Sequence, residues 1–144
     1  MTELKLPKIG LGTWMLKKSA AKFSTVEGIK LGYRHVDTAQ AYGNEQFVGE
    51  GLKEIFDNGI VKRSEISVAT KLHPLKLRPR AVLKSTDVSL EKLKLDVIDI
   101  LYVHYPAFPL GYSHKKTLGA ISKLIDEGKV RQIGVSNFTP NMID

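Results

Sequence analysis

Apolar residues along this chain fall into two rhythms, short β-branched runs and longer stretches with apolar positions three and four apart, and the two alternate from end to end. The most apolar run, Val97-Ile98-Asp99-Ile100-Leu101-Tyr102-Val103, is almost continuous, which is the habit of a strand covered on both faces in a parallel sheet. Shorter runs of the same kind predict strands at 34–37, 66–70 and 130–135. Residues 6–14 alternate in part and predict a short strand and turn, with Gly10 and Gly12 giving room for a bend just before Trp14.

Between these runs the period changes to that of helices. Residues 19–31 carry Ala20, Ala21, Phe23, Val26, Ile29 and Leu31 as an imperfect apolar stripe, with Gly32 as the stop. Asn44 is a good N-cap for a helix whose buried face would be Phe47, Val48, Leu52, Ile55 and Phe56, flanked by Glu45 and Glu50 and ending near Asn58-Gly59. Residues 61–65 read as a polar connector. Pro79 opens a helix over 79–93, with Val82, Leu83, Val88, Leu90 and Leu93 inward, and a fourth helix covers 116–127 up to Gly128. Beyond the last strand, residues 137–144 resemble a helix just beginning. Strand and helix thus alternate four times before a closing strand, which predicts an α/β fold with about five parallel strands and right-handed crossovers.

Composition narrows the class without changing this picture. The 144 residues are 42% hydrophobic and 26% charged, with no low-complexity tract and no apolar run that could span a bilayer, the profile of one globular domain over 1–144. There is no cysteine, so disulfides and thiolate metal sites are excluded. The first residues lack an apolar signal core, and a cytoplasmic location is the default expectation. The formal charge of +7 raises the question of a polyanionic partner. Lys and Arg are nevertheless spread along the chain, and the densest basic segment, residues 71–80, lacks the interleaved aromatics of a base-stacking surface. That segment reads as a solvated loop and helix start, with contact to a phosphate group as its alternative. Neither nucleic acid nor membrane is an expected partner.

Parallel strands bring their carboxyl ends to one rim, where chemistry collects in α/β folds. Here the strands end at or near Gly12-Thr13-Trp14, Asp37, Lys71, His104 and Ser136-Asn137, with Tyr42 in the loop after Asp37. A phenol is a weak acid near neutrality, and an adjacent cation favours its anion. A carboxylate beside a lysine holds and aims its ammonium group, and a neutral histidine can orient a carbonyl oxygen by hydrogen bonding. Asp37, Tyr42, Lys71 and His104 therefore combine as a device for delivering a proton to a carbonyl, given a hydride donor alongside.

These residues resemble the aldo-keto reductase family. The run Gly32-Tyr33-Arg34-His35-Val36-Asp37-Thr38-Ala39-Gln40-Ala41-Tyr42-Gly43-Asn44-Glu45 is similar to the family's signature, and Gly10-Leu11-Gly12-Thr13-Trp14 to its first strand and loop. Ala69-Thr70-Lys71, Leu101-Tyr102-Val103-His104-Tyr105-Pro106 and Gly134-Val135-Ser136-Asn137-Phe138 match later segments in the same order. The resemblance implies a (β/α)8 barrel that reduces aldehydes or ketones with NADP(H), NAD(H) being the alternative, and without a metal. It assigns Tyr42 as the general acid, Lys71 and Asp37 as the groups that tune it, and His104 as the residue that orients the carbonyl. It places Gly12, Thr13, Asp37, Ser136 and Asn137 against the cofactor, and Trp14, His104 and Tyr105 against the substrate, Tyr105 standing where many relatives have Trp.

A complete barrel of this kind has eight strands and about 250 residues, so these 144 residues are expected to form its first five β/α units without the last three strands. Completion by a further segment, or self-association, is the corresponding expectation for partners besides a small carbonyl substrate. The alternative function is that of an inactive fragment or a non-catalytic nucleotide-binding or regulatory relative.

Overall fold

The computed structural model describes residues 5–106 and 113–143. Met1 to Leu4 and Asp144, which figure in the expectations for the two termini, lie outside them. Five strands, β1 (Leu11–Gly12), β2 (His35–Asp37), β3 (Ser67–Leu72), β4 (Ile98–Val103) and β5 (Val130–Val135), alternate with four helices, α1 (Lys18–Lys30), α2 (Glu45–Asp57), α3 (Pro79–Leu93) and α4 (His114–Asp126). All neighbouring strands are parallel, and their order across the sheet is their order in the chain. Every crossover therefore steps one strand the same way, and a constant right-handed connection lays the helices on a single face. At the carboxyl ends Gly12 stands opposite Asp37 and Val103 opposite Val135, while β3 runs past the Asp37–Ala69 pair so that Lys71 lies opposite Tyr102 and Leu72 opposite Val103.

Strand alternation then separates two environments. Val36, Val68, Leu72, Leu101 and Val103 are buried in one cluster with Ala21 and Ile29 of α1, Val48, Leu52 and Ile55 of α2, Val82 and Leu93 of α3, and Ile121 and Leu124 of α4. Each such Leu or Ile contributes about 1.5–3 kcal/mol when fully buried. On β2 and β3 the intervening side carries polar residues that pair with one another, His35 Nδ1 lying 2.6 Å from Ser67 Oγ and Asp37 meeting Lys71, with the apolar Ala69 and Ile100 buried beside them.

Element positions follow the predicted pattern closely, and the departures concern which side chains are buried. On α1, Phe23 (67% exposed) and Leu31 (82%) face solvent, whereas Ala21, Thr25, Val26, Gly28 and Ile29 are covered. The reason is close approach to α2: a Cβ on Gly51 would lie 3.0 Å from the Lys22 carbonyl oxygen and from Thr25 Cβ, so small residues line this contact. Gly49 performs the same service toward α3, since a Cβ there would fall 2.1 Å from the Lys92 carbonyl oxygen. On α3, Val88 is exposed and the covered face contains Ser85, Thr86 and Ser89, whose hydroxyls have partners described below or bond back to the Val82 carbonyl.

Two segments assigned to the surface are tied in. Arg63, in the expected polar connector, donates to the carbonyls of Ile66 and Val97 and to the buried Asp99 carboxylate, which also accepts from the Val68 N–H. The basic segment 71–80 begins inside β3, and Leu77 is buried, its carbonyl accepting from the Thr117 hydroxyl. The fourth helix starts two residues earlier than predicted, because Ser113 caps it through a side-chain bond to the Lys116 N–H.

Candidate active site

The site grows from the end of β2. After Asp37 the Thr38 N–H still donates to the Ala69 carbonyl, continuing the ladder by one residue, and Gln40–Tyr42 then turns once as a 3-10 helix. Gly43 closes that turn at φ 67° and ψ 16°, a left-handed conformation that glycine takes without strain. Tyr42 is thereby returned over the neighbouring strand, where Lys71 is the penultimate residue of β3.

Lys71 is buried, and its ammonium group is fully engaged. Nζ donates to both carboxylate oxygens of Asp37, at 2.7 and 2.5 Å, to the Thr38 carbonyl at 3.0 Å and to the Tyr42 hydroxyl at 3.2 Å. Because the tyrosine oxygen accepts from the ammonium, its own proton points elsewhere and remains available for donation. His104 follows β4 directly and is 8% exposed, with its ring edge-on to Tyr42 at 5.8 Å between centroids. Burial, reinforced by the Lys71 ammonium and only partly offset by Asp37, holds the His104 imidazole below its usual range. The ring is consequently neutral at pH 7, and among the described residues its buried Nδ1 has no partner. Tyr105 stacks on it at 4.7 Å and 23° and is itself half exposed. The structure thus brings Asp37, Tyr42, Lys71 and His104 into one cluster.

The residues expected to meet a cofactor lie on the same rim. Ser136 continues the ladder through its N–H to the Val103 carbonyl, and Asn137, at φ 62°, donates Nδ2 to the His104 carbonyl (2.8 Å) and to Ser136 Oγ (3.0 Å). The Asn137 carboxamide oxygen and the Ser136 hydroxyl proton together form an acceptor and donor pair. Gly12 borders open space, as no atom lies within 4 Å of where a Cβ would stand. Thr13 is fully buried, and both its N–H and its hydroxyl donate to the Asp37 carbonyl, so its side chain braces the rim from behind. Trp14, 69% exposed, follows it. Among the described residues no three His, Asp or Glu side chains are grouped to hold a metal ion, and no helix is long and apolar enough to cross a membrane.

Three supporting residues were not legible beforehand. Asn44 occupies the N-cap position of α2, yet its side chain caps nothing there. The carboxamide instead donates to the carbonyls of Thr13 and Leu16 and accepts from the Thr38 hydroxyl. Gln40 accepts from the His73 N–H and donates to the Ser85 carbonyl and the Ser89 hydroxyl. Glu45, expected at the flank of a helix face, is 3% exposed and accepts from the Thr70 hydroxyl at 2.7 Å. A polar side chain that opens a helix just after a strand end was the available signal, but capping is its commoner use.

A sheet wound in strict chain order, with an acid–base cluster at the carboxyl ends of its strands, is the plan of a (β/α)8 enzyme barrel. Comparison with known proteins agrees: residues 8–144 match the model of the aldo/keto reductase family. Aldo-keto reductase family 4 member C11 of Arabidopsis thaliana is 34% identical over 96% of this chain and 48% of its own length. The NADPH-dependent aldose reductase of Saccharomyces cerevisiae is 34% identical over 97% and 51%. Among solved structures, the aldose reductase of Schistosoma japonicum superposes with a TM-score of 0.89 at 33% identity, covering 95% of this chain and 51% of the other. A Bombyx mori aldo-keto reductase in complex with NADP gives 0.88 at 35% identity, with 96% and 49% covered. The chain belongs to the aldo/keto reductase family. It spans about half the length of the curated relatives it matches, and its five strands form the corresponding part of a TIM barrel.

Proposed function

We propose that this chain carries the proton-delivering half of an NADP(H)-dependent reductase of aldehydes or ketones, with Tyr42 as general acid. The observation that carries this reading is the Lys71 ammonium group, held at once by Asp37, the Thr38 carbonyl and the Tyr42 oxygen. A cation in that position stabilises negative charge developing on the phenol oxygen as its proton leaves. Asp37 fixes the cation in place, and the neutral His104 ring stands edge-on to Tyr42, where it would offer a hydrogen bond to a carbonyl oxygen.

A nicotinamide cofactor would supply the hydride. The residues present suit its carboxamide, an amide with one acceptor oxygen and N–H donors, because Ser136 and Asn137 offer the complementary donor and acceptor. Gly12 and Asp37 would border the same region, with Thr13 as backing, while Trp14 and Tyr105, both exposed on the rim, would line the substrate side. Relatives named as using NADPH, and as using NAD(P)H, support NADP(H) with NAD(H) as the alternative.

The test is oxidation of NADPH, followed by absorbance with a reactive aromatic aldehyde, in the reductase that contains these residues. Tyr42→Phe is expected to lower kcat by about 10²–10⁴-fold, the usual worth of general acid catalysis, and an unchanged rate would remove Tyr42 from the role. Since His104 must be neutral to serve the carbonyl, activity is expected to fall as pH drops through the region below the ordinary imidazole range. His104→Gln should erase that acidic limb.

A further inference from the structure

The loop after β1 makes an unusual turn. Leu16 N–H donates to the Thr13 carbonyl at 3.2 Å, which closes a four-residue turn with Trp14 and Met15 at its centre. Met15 sits at φ 63°, a left-handed conformation that a turn of this kind normally gives to glycine or asparagine. Met15 and Trp14 are 74% and 69% exposed, so little packing of their own side chains holds the turn. Backbone in such a conformation persists only where its surroundings over-determine it.

The surroundings that do so belong to one side chain. Asn44, 2% exposed, donates from the same Nδ2 to the Thr13 carbonyl at 2.8 Å and to the Leu16 carbonyl at 2.9 Å, the first and last residues of the turn. Its Oδ1 accepts from the Thr38 hydroxyl at 3.0 Å, which fixes which way the carboxamide faces. Thr13 and Thr38 are fully buried, so water offers no substitute at the Thr13 carbonyl or the Thr38 hydroxyl. The staple thus runs from the β2 loop, which carries Tyr42, to the β1 loop, which carries Trp14.

We infer that Asn44 is a positioning residue that sets substrate selectivity, by stapling both ends of the strained Trp14–Met15 turn and so fixing Trp14 relative to the Tyr42 loop. This rests on the reductase reading above for its kinetic consequence, but the staple has its own physical readout. Trp14 is the single tryptophan of these 144 residues, so its fluorescence anisotropy reports the turn directly.

Asn44→Asp keeps size and shape while removing the amide donor, and it sets an acceptor against two carbonyl oxygens. It is expected to lower Trp14 anisotropy in the 144-residue chain. In the reductase containing it, KM for an aromatic aldehyde should rise by about tenfold with kcat falling less than about twofold, the split expected when positioning of bound substrate is lost. A small aliphatic aldehyde, which makes little use of the tryptophan, should show a smaller rise. Should Asn44→Asp not fold, Thr38→Val removes only the hydroxyl that orients the carboxamide and should move the same quantities less. Unchanged anisotropy overturns the staple. Lowered anisotropy with equal changes for both aldehydes overturns the selectivity role. Absence of any aldehyde reduction in the parent enzyme overturns the reductase reading and the selectivity claim with it, and the anisotropy result then still decides the staple.

Discussion

Lys71 directs its three ammonium protons toward four oxygens, and this crowding makes it the residue whose loss is felt twice. On the proposed reading, Lys71→Met should abolish most aldehyde reduction. It should also lower stability by about 1–3 kcal/mol, because the Asp37 carboxylate, a third exposed, loses its partner and regains only part of its solvation. Denaturant titration checks the second effect separately from the first. Glu45 offers a pH test of opposite character. Its burial pushes the carboxyl up from the ordinary glutamate range, against the pull of the Thr70 and Ser89 hydroxyls, so the folded protein binds its proton more readily than the unfolded chain. Its contribution to stability is complete below about pH 4.5 and is lost as pH rises toward the folded value. Glu45→Gln should therefore flatten the stability curve across that window, and a slope that persists in urea titrations would reject the assignment. His104 runs the other way: with its folded value lowered, its contribution is present above about pH 6.5 and is lost as pH falls toward that lower value.

At the scale of elements, α2 is the piece on which the others depend, because it packs closely against α1 through Gly51 and against α3 through Gly49. Gly49→Ala would force its new methyl group against the backbone of Lys92 and Leu93, which cannot rotate away. A loss of about 1–3 kcal/mol is expected, the usual penalty of overpacking, with thermal unfolding as the measurement. The sequence was legible here to different depths. Helix α3 and strand β5 fall on the expected residues because Pro79, Gly128 and apolar runs of the right period mark them. Asp37, Lys71 and His104 were readable as strand-end residues for the same reason. Phe23 and Val88 were misplaced because periodicity counts large apolar residues, whereas these helices bury small residues or hydroxyls where another helix or a polar side chain comes close. Apart from the bond between Asn44 and Thr38, the side chains of Asn44 and Gln40 act through contacts to residues 28 or more positions away, and no local pattern encodes them.

For the molecule as a whole, the covering of the sheet is uneven. Strand β5 packs against α4, yet its Ile133 and Val135 are 36% and 38% exposed, and among the described residues β5 pairs with β4 alone. Exposed apolar residues on an unpaired strand favour association. The isolated 144-residue chain is thus expected to scatter light as more than a monomer, and replacing Ile133 and Val135 together by Lys should shift it toward the monomer. The sequential strand order has a consequence for how the protein is made. Asp37, Tyr42, Lys71 and His104 leave the ribosome in the order in which they stand around the rim, and each new strand pairs with the one just completed. Each of these pairings joins residues already synthesised, so the pocket's ionic centre can assemble during synthesis, while later portions of the polypeptide are still being added.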